Sequence, residues 1–293
     1  MHEIRHLAAS AMLSGPNDDP DIRILRRVST PESFPLAADP VGATRRIAIV
    51  DTECTGTDPQ LDEIIDIAVV IVEADELGQI VRIDRVRQAL RDPGMPIPAV
   101  ISRLTGITDD DVRGRTIDLD RLERLLAGAD VRIAHSAVFD IAFIENLMPG
   151  LAGASWACSM NDFDWLSTGF DGRKLGHLLM QIGRFNDAHR AMSDVISLLH
   201  LLAHRLDDGR TVLGQLLENA AMPSLRIEAT NAPFDRRGLL KARGYRWDPR
   251  GRVWWCEISA DEYESEALWL QREVTPHGPA PRTRPVTWHE RHR

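Results

Sequence analysis

The sequence predicts an α/β fold in which a mixed sheet is flanked by helices, followed by a smaller α+β unit. Short apolar runs predict strands over 46–51, 64–73, 80–90 and 131–135. Apolar residues recur at helical spacing near 98–104, 118–128, 138–148, 174–183 and 190–205. This mixture suits a layered fold with antiparallel strands first and parallel strands later.

Residues 1–44 precede the first predicted strand, and their apolar side chains form only short patches. They contain the run Asn17-Asp-Asp-Pro-Asp21 and prolines at 16, 20, 31, 35 and 40. We therefore predict a partly disordered N-terminal extension over 1–44.

The first strand leads into the motif Asp51-Thr-Glu53. Ile47 to Val50 are apolar and mostly β-branched, and Thr-Gly-Thr-Asp-Pro follows, so the run is predicted to be a buried strand. Period-two alternation points Asp51 and Glu53 to the same face. Two carboxylates at a strand end are costly to leave unpaired, which favours a cation between them. The alternative for this motif alone is an ordinary turn rich in Asp and Thr.

The second motif, His135-Ser-Ala-Val-Phe-Asp140, follows the strand predicted at 131–135. Apolar positions 139, 143, 144 and 147 have helical spacing and place Asp140 on the first turn of a helix. The alternative is an acid that compensates the helix dipole.

The third motif, His189-Arg-Ala-Met-Ser-Asp194, opens the last predicted helix of this region, and His189 lies at or just before its start. A lone histidine there is more often a surface or capping residue. Four carboxylates and a histidine together, however, are what a two-metal phosphodiesterase requires. Carboxylates bind hard divalent cations, and a histidine, with an unperturbed pKa of ~6.5, can take a proton from water.

These three motifs resemble the DnaQ-like (DEDDh) 3′-to-5′ exonucleases, the family that includes the proofreading epsilon subunit of bacterial DNA polymerase III. The resemblance covers roughly residues 45–206, which we predict to be the exonuclease domain, and includes Leu104-Thr-Gly-Ile-Thr108 and Lys174-Leu-Gly-His-Leu-Leu179. It implies a ribonuclease H-like fold, a mixed sheet of about five strands with helices on both sides.

The resemblance also implies a role for each residue of the motifs. Asp51 would bridge two divalent cations, Mg²⁺ or Mn²⁺. Glu53 and Asp194 would complete one cation site, and Asp140 would hold the other. His189 would be the general base that activates the nucleophilic water.

Contacts with the terminal nucleotides are expected from the strand end, the following turn and the Leu-Thr-Gly segment. Glycine in the turn would allow close approach of the substrate. The residues predicted to bind substrate are Thr52, Thr55, Gly56, Leu104, Thr105 and His135.

The C-terminal part is predicted to hold a linker over 207–224, a small α+β domain rich in Trp and Arg over 225–273, and a disordered tail over 274–293. Within the small domain we predict a strand, a helix from about Pro233 to Ala242, a hairpin turning at Asp248-Pro-Arg-Gly251, and a helix over 260–271. This segment resembles a small domain of unknown function appended to DNA-metabolism proteins.

Basic residues alternate with aromatic residues in this hairpin, as they do in proteins that bind single strands. Arg246, Arg250 and Arg252 are therefore candidates for nucleic-acid contact. The alternative is that the tryptophans form the core of a very small domain and the arginines its solvated face.

Composition limits the classes of function. The net charge of −9 disfavours extended binding to duplex DNA but not cleavage at a strand end, where cations supply the positive charge. Because no apolar run approaches ~18 residues and no signal peptide is evident, we expect no membrane insertion and a cytoplasmic protein. Cys54, Cys158 and Cys256 are too scattered for a disulfide framework or a zinc site.

The resulting expectation is a metal-dependent 3′-to-5′ exonuclease that acts on single-stranded or frayed DNA ends, in proofreading or repair, with a DNA polymerase or a repair protein as partner. It would release nucleoside 5′-monophosphates. Two alternatives stay open, the same chemistry on short RNA and a non-catalytic adaptor for a polymerase or repair partner. The complete five-residue set disfavours the adaptor.

Overall fold

The structure is a computed structural model that describes residues 22–276 and 278–293. Its strands are β1 (Arg26–Arg27), β2 (Arg45–Cys54), β3 (Ile64–Ala74), β4 (Ile80–Leu90), β5 (Val131–Ala134), β6 (Trp156–Cys158), β7 (Arg184–Phe185), β8 (Ser224–Ala229), β9 (Arg246–Asp248), β10 (Val253–Ile258) and β11 (Arg282–Val286). Its helices are α1 (Ala99–Thr105), α2 (Asp109–Val112), α3 (Leu119–Ala127), α4 (Ala137–Leu147), α5 (Leu175–Gln181), α6 (Ala191–Leu202), α7 (Val212–Ala221), α8 (Arg237–Ala242) and α9 (Tyr263–Trp269). Short 3₁₀ turns cover Pro31–Ser33, Pro149–Leu151, Phe234–Arg236 and Ala260–Glu262, and a π-helical turn, Leu270–Val274, continues α9.

A five-stranded sheet with the order β4-β3-β2-β5-β6 forms the centre of the larger unit. Strand β3 is antiparallel to both β2 and β4, whereas β5 is parallel to β2 and β6 is parallel to β5. The predicted mixed sheet flanked by helices is therefore confirmed, with antiparallel strands first and parallel strands later. The fifth strand, β6, was not predicted, because three residues are too short for a periodic signal.

Helices cover both faces of this sheet, and the side chains of β2 alternate between them. Ile47 and Ile49 face a core built with α6 and α7. Ala48 and Val50 face a core built with α3 and α4. By the same alternation Asp51 and Glu53 continue the α6 side and Thr52 continues the α4 side.

The smaller unit is a four-stranded sheet with the order β11-β8-β10-β9, in which the pairings are antiparallel. Ile227 and Cys256 on one face of the sheet pack with Leu240 of α8 and with Leu270 after α9. The predicted strand, helix, hairpin and second helix of this segment are all present.

Two segments of the C-terminal part differ from their prediction. The expected linker over 207–224 contains α7, in which Leu213 and Leu216 are fully buried against the larger core. The expected disordered tail contains β11, whose Pro285 is tolerated because the strand lies at the edge of its sheet. The tail is ordered by partners elsewhere in the chain, since Arg291 donates to the Ala220 carbonyl and pairs with Glu257.

The predicted N-terminal extension is described from residue 22 onward, and its first 21 residues lie outside the described part. The described stretch is partly ordered by the larger unit, because β1 pairs in parallel with β7 and Phe34 is buried in the core. The exact division of the chain into domains stays a prediction. Among the described residues, no helix combines the length and apolar character that a membrane crossing requires.

Candidate active site

Three carboxylates meet at the end of β2. Asp51 and Glu53 project from the α6 side of the strand, and Asp194 lies on the first turns of α6. One oxygen from each of the three lies within 4.8 Å of the others. The strand alternation and the packing of α6 thus produce an oxygen cluster of the kind that binds a hard divalent cation.

Asp140 lies beside this cluster but is approached from the other face of the sheet. It sits on the first turn of α4, is 3% exposed, and accepts a hydrogen bond of 2.8 Å from the Thr52 hydroxyl. The Thr52 side chain thus orients the fourth carboxylate, and the predicted contact of Thr52 with substrate stays a prediction.

The four acids have pKa values above their ordinary range. Burial, followed by the charges of Asp140 and Asp194, raises the pKa of Asp51. Burial and the charge of Asp194 raise the pKa of Glu53 to about 7, and burial raises the pKa of Asp140 to about 7. Burial also raises the pKa of Asp194. Crowded, buried carboxylates repel one another and are poorly solvated, so a bound cation would relieve an existing cost.

His189 lies immediately before α6, and its backbone has a positive φ of 64°. Its backbone N–H donates to the Asp194 carboxylate at 2.9 Å, which ties the histidine to a residue of the cluster. Asn186 holds the start of the same loop by donating to the Ser193 carbonyl at 2.9 Å. The His189 side chain is exposed at the edge of the acidic cluster, where a base that acts on water is expected.

His135 has a different role from the substrate contact predicted for it. Its Nδ1 is hydrogen-bonded to the Ser159 hydroxyl at 2.9 Å, and its Nε2 to the Arg173 carbonyl at 2.7 Å. Burial lowers the pKa of His135 to about 4, so the ring is neutral near pH 7. Both nitrogens are occupied within the fold, and the residue connects β5 to two loops instead of offering a donor to a nucleotide.

The turn after β2 is held by its own side chains. The Thr55 hydroxyl donates to Asp62 at 3.0 Å and accepts from the Glu63 backbone N–H at 3.0 Å. A Cβ atom at Gly56 would lie 2.3 Å from the Asp62 carboxylate, so a larger residue would displace Asp62 from its hydrogen bond with Thr55. Thr55 and Gly56 therefore shape the turn, and their predicted substrate contacts stay predictions.

The Leu-Thr-Gly segment presents only one of its two predicted side chains. Leu104 is 50% exposed at the end of α1. Thr105 is buried, donates to the Ile101 carbonyl at 2.9 Å and accepts from the Ile107 N–H at 3.1 Å. Thr105 thus ties the end of α1 to the following residues, and Leu104 is the member of the pair that a base could contact.

Sequence reasoning missed Asp66, Gln88 and Arg190. Asp66 on β3 is fully buried, accepts two hydrogen bonds from Gln88 and lies 3.8 Å from the Arg190 guanidinium. A signal was available, because Asp66 is the one acid within the apolar run Ile64–Val72.

The chain is similar to segments of several bacterial DNA polymerases III of the PolC type. It is 40% identical over 99 residues to the PolC-type DNA polymerase III of Listeria innocua, which covers 33% of this chain and 6% of that protein. The corresponding enzyme of Bacillus subtilis is 36% identical over 99 residues, with the same shares. That of Thermotoga maritima is 30% identical over 123 residues, or 41% of this chain and 9% of that protein. The chain thus spans less than a tenth of the length of these relatives.

Solved structures with a similar course of the chain include exonuclease X in complex with 5′ overhanging duplex DNA. That structure is 22% identical, covers 59% of this chain and 99% of its own, and has a TM-score of 0.43. Escherichia coli exonuclease I in complex with a dA16 oligonucleotide is 16% identical, covers 84% of this chain and 64% of its own, and has a TM-score of 0.47.

The RNase_T exonuclease family matches residues 48–202, just over half of the chain and the part that carries all four carboxylates and His189. The protein therefore belongs to the RNase_T exonuclease family.

Proposed function

We propose that this protein is a metal-dependent 3′-to-5′ exonuclease that acts on single-stranded or frayed DNA ends and releases nucleoside 5′-monophosphates. The observation that carries this proposal is the convergence of Asp51, Glu53 and Asp194 within 4.8 Å, with Asp140 buried beside them. A non-catalytic adaptor would have no use for a crowded cluster of poorly solvated carboxylates, which weakens folding unless a cation occupies it.

The donor set fits two hard divalent cations, Mg²⁺ or Mn²⁺. Asp51, Glu53 and Asp194 would hold one, and Asp140 together with Asp51 would hold the other. Bound cations would lower the pKa of a water molecule and stabilise charge on the phosphoryl group. His189 would accept the proton of the attacking water, and its backbone bond to Asp194 keeps it next to the cluster.

DNA is proposed as the substrate because the matched relatives are DNA polymerases, although this chain covers only a small part of each. The same similarity supports a DNA polymerase or a repair protein as partner. Short RNA is the alternative substrate, since the catalytic residues act on the phosphodiester and not on the sugar. A cytoplasmic location stays a prediction from the sequence.

Digestion of 5′-labelled oligonucleotides tests the proposal. We expect single-stranded DNA to shorten from its 3′ end in single-nucleotide steps with Mg²⁺ or Mn²⁺, faster than blunt duplex. Faster cleavage of an RNA of the same sequence would favour the alternative substrate. Absence of cleavage of both, with Mg²⁺ and with Mn²⁺, would contradict an enzymatic function and favour the adaptor.

We also propose that the C-terminal unit contacts the single strand beyond its terminal nucleotides. The Arg246 guanidinium lies 4.7 Å from the centre of the Trp255 ring, and Arg226 lies 4.4 Å from it. Trp255 alternates with Trp254 and so lies on the sheet face away from the small core. Within the described part of the chain, Arg246, Arg250 and Arg252 form no ion pair, which leaves their charges available for phosphates.

A further inference from the structure

Asp66 is a buried acid next to the carboxylate cluster that does not belong to it. It lies opposite Glu53 on the neighbouring strand and is fully excluded from solvent. Its two oxygens accept hydrogen bonds of 3.0 and 2.8 Å from the Gln88 side chain. It is not one of the three carboxylates, Asp51, Glu53 and Asp194, whose oxygens lie within 4.8 Å of one another. Burying a carboxylate costs free energy unless it is hydrogen-bonded or paired. The partners of Asp66 therefore indicate its role.

Two further neighbours of Asp66 belong to the segment that carries His189. The Nε atom of Arg190, the residue after His189, lies 3.8 Å from the Asp66 carboxylate. Burial raises the pKa of Asp66, and the hydrogen bonds from Gln88, the charge of Arg190 and the nearby backbone N–H groups of Ala191 and Ile67 oppose that rise. Ala191 is the first residue of α6, so this carboxylate faces the start of the helix.

Helix α6 needs such a partner, because Arg190 at its N-cap position makes no capping hydrogen bond with its side chain. The first N–H groups of a helix lack partners within the helix and carry partial positive charge. A carboxylate from β3 can satisfy this end and fix where α6 starts relative to the sheet. Asp194 lies three residues further along α6, where the burial of Ala191 and Val195 in the larger core holds the helix as well.

His189 depends on the same contacts. Its left-handed backbone is uncommon for a residue other than glycine and persists only where its surroundings hold it. One restraint is the bond from its N–H to Asp194. The second restraint is the ion pair between Arg190, the next residue in the loop, and Asp66. Among the described residues, no hydrogen bond holds the His189 ring itself, so the backbone conformation sets the direction in which this side chain leaves the loop.

We propose that Asp66, oriented by Gln88, is a positioning residue that fixes Arg190 and the start of α6 and thereby directs His189 toward the catalytic carboxylates. This inference rests on the proposed function, because it requires His189 to be the base. Asp66 itself touches neither the substrate nor the reacting atoms.

The test compares Asp66→Asn and Arg190→Gln with the parent protein on single-stranded DNA. A base displaced by about 1 Å loses on the order of 10²-fold in rate, so we expect kcat to fall by about 10- to 100-fold. We expect KM and the Mn²⁺ concentration at half-maximal rate to change less than about twofold, because the cation ligands stay in place. The loss in kcat should shrink as pH rises, since hydroxide replaces the base.

Epistasis with His189→Ala separates positioning from a general loss of stability. If Asp66 acts through His189, Asp66→Asn should change kcat less than about twofold once His189 is alanine, because residues that act as a unit are not additive. Asp187→Asn is the matched control, since Asp187 lies in the same loop but pairs with Arg27 at an exposed site, 79% accessible. The kcat of Asp187→Asn should stay within about twofold of the kcat of the parent.

Three results would overturn the inference: unchanged kcat in both Asp66→Asn and Arg190→Gln, full additivity with His189→Ala, or an equal loss in Asp187→Asn. If Asp66→Asn does not fold, Arg190→Gln, whose side chain is 44% exposed, carries the same comparison. An unchanged kcat in His189→Ala would instead contradict the proposed function, because His189 would then not be the general base. An impaired His189→Ala with unimpaired Asp66 and Arg190 variants would remove only this inference.

Discussion

At the scale of single residues, the acids at the end of β2 are costly to the protein without a cation. Burial raises the pKa values of Asp51, Glu53, Asp140 and Asp194, and repulsion by neighbouring acids adds to the rise at Asp51 and Glu53, a pattern typical of sites whose function needs closely placed charges. Local sequence predicted all four because strand alternation and helical spacing are local properties. It could not predict that Asp66 and Arg190 meet, since they are far apart in the chain.

This electrostatic cost predicts how stability depends on pH. The pKa of Glu53 is about 7 in the folded protein and ~4.3 when unfolded, so the folded state binds more protons between these values. The free energy of unfolding contributed by Glu53 therefore falls as pH rises from about 4 to 7 and stays low above it. In EDTA, Glu53→Gln should be more stable than the parent at pH 8, and the gap should close toward pH 4.

Melting temperatures of the two proteins at several pH values check this. Mg²⁺ should raise the Tm of the parent more at pH 8 than at pH 5, because ligands must be deprotonated to bind. If the difference in melting temperature between Glu53→Gln and the parent widens as pH falls, ionisation of Glu53 does not destabilise the protein.

His189 gives a second prediction at this scale. His189→Ala should lower kcat by ~10²- to 10⁴-fold, the usual contribution of a positioned base, while the cation ligands remain. The loss should diminish at high pH. A pH-rate series with saturating Mn²⁺ measures both, and a kcat within twofold of the parent at neutral pH would remove His189 from the mechanism.

At the scale of elements, periodicity predicted the long strands and helices, and the failures have physical causes. The segment predicted as a linker, 207–224, contains the helical spacing of Val212, Leu213, Leu216 and Leu217, and these residues order α7 by packing against the larger core. The hydrogen bonds of His135 could not be predicted, because its partners Ser159 and Arg173 are distant in the sequence. The partners of Thr105, Ile101 and Ile107, are local, and such side-chain bonds to the backbone are common for threonine near a helix end.

The buried face of α7 predicts a large effect of mutation in the former linker. Leu216→Ala should lower the free energy of unfolding by about 2 to 5 kcal/mol, since it leaves a cavity in a packed core. The control Glu218→Ala, at an exposed position of the same helix, should cost much less. Urea unfolding of both variants measures the difference, and equal, small effects would mean that α7 does not pack as described.

At the scale of the whole molecule, the C-terminal chain ties the two units together. Arg291 bonds to the Ala220 carbonyl and to Glu257, and His292 lies 2.9 Å from Asp162 in the larger unit. The small unit is thus held against the exonuclease domain by contacts that composition alone did not reveal, because a Pro- and Arg-rich tail usually lacks fixed structure.

The proposed contact of this unit with nucleic acid predicts a change in salt dependence. Converting Arg246, Arg250 and Arg252 together to Gln should raise KM on long single strands and reduce the slope of log KM against log salt by about 2, because three fewer phosphates are neutralised. Turnover of a dinucleotide, which reaches only the catalytic cluster, should not change. If the triple variant shows the same salt dependence of KM as the parent on substrates of every length, these arginines are instead a solvated face or a protein-binding surface.

The central claim is that the carboxylates at the end of β2 and the start of α6 cleave DNA from its 3′ end by holding cations. The most direct measurement is single-turnover digestion of 5′-labelled single-stranded DNA by the parent, Asp51→Ala, Asp194→Ala and the exposed control Asp120→Asn. The account predicts that the first two variants fold but do not cleave, that Asp120→Asn cleaves like the parent, and that EDTA abolishes and Mn²⁺ restores activity. Undiminished cleavage by Asp51→Ala or Asp194→Ala, or full activity of the parent in excess EDTA, would contradict it.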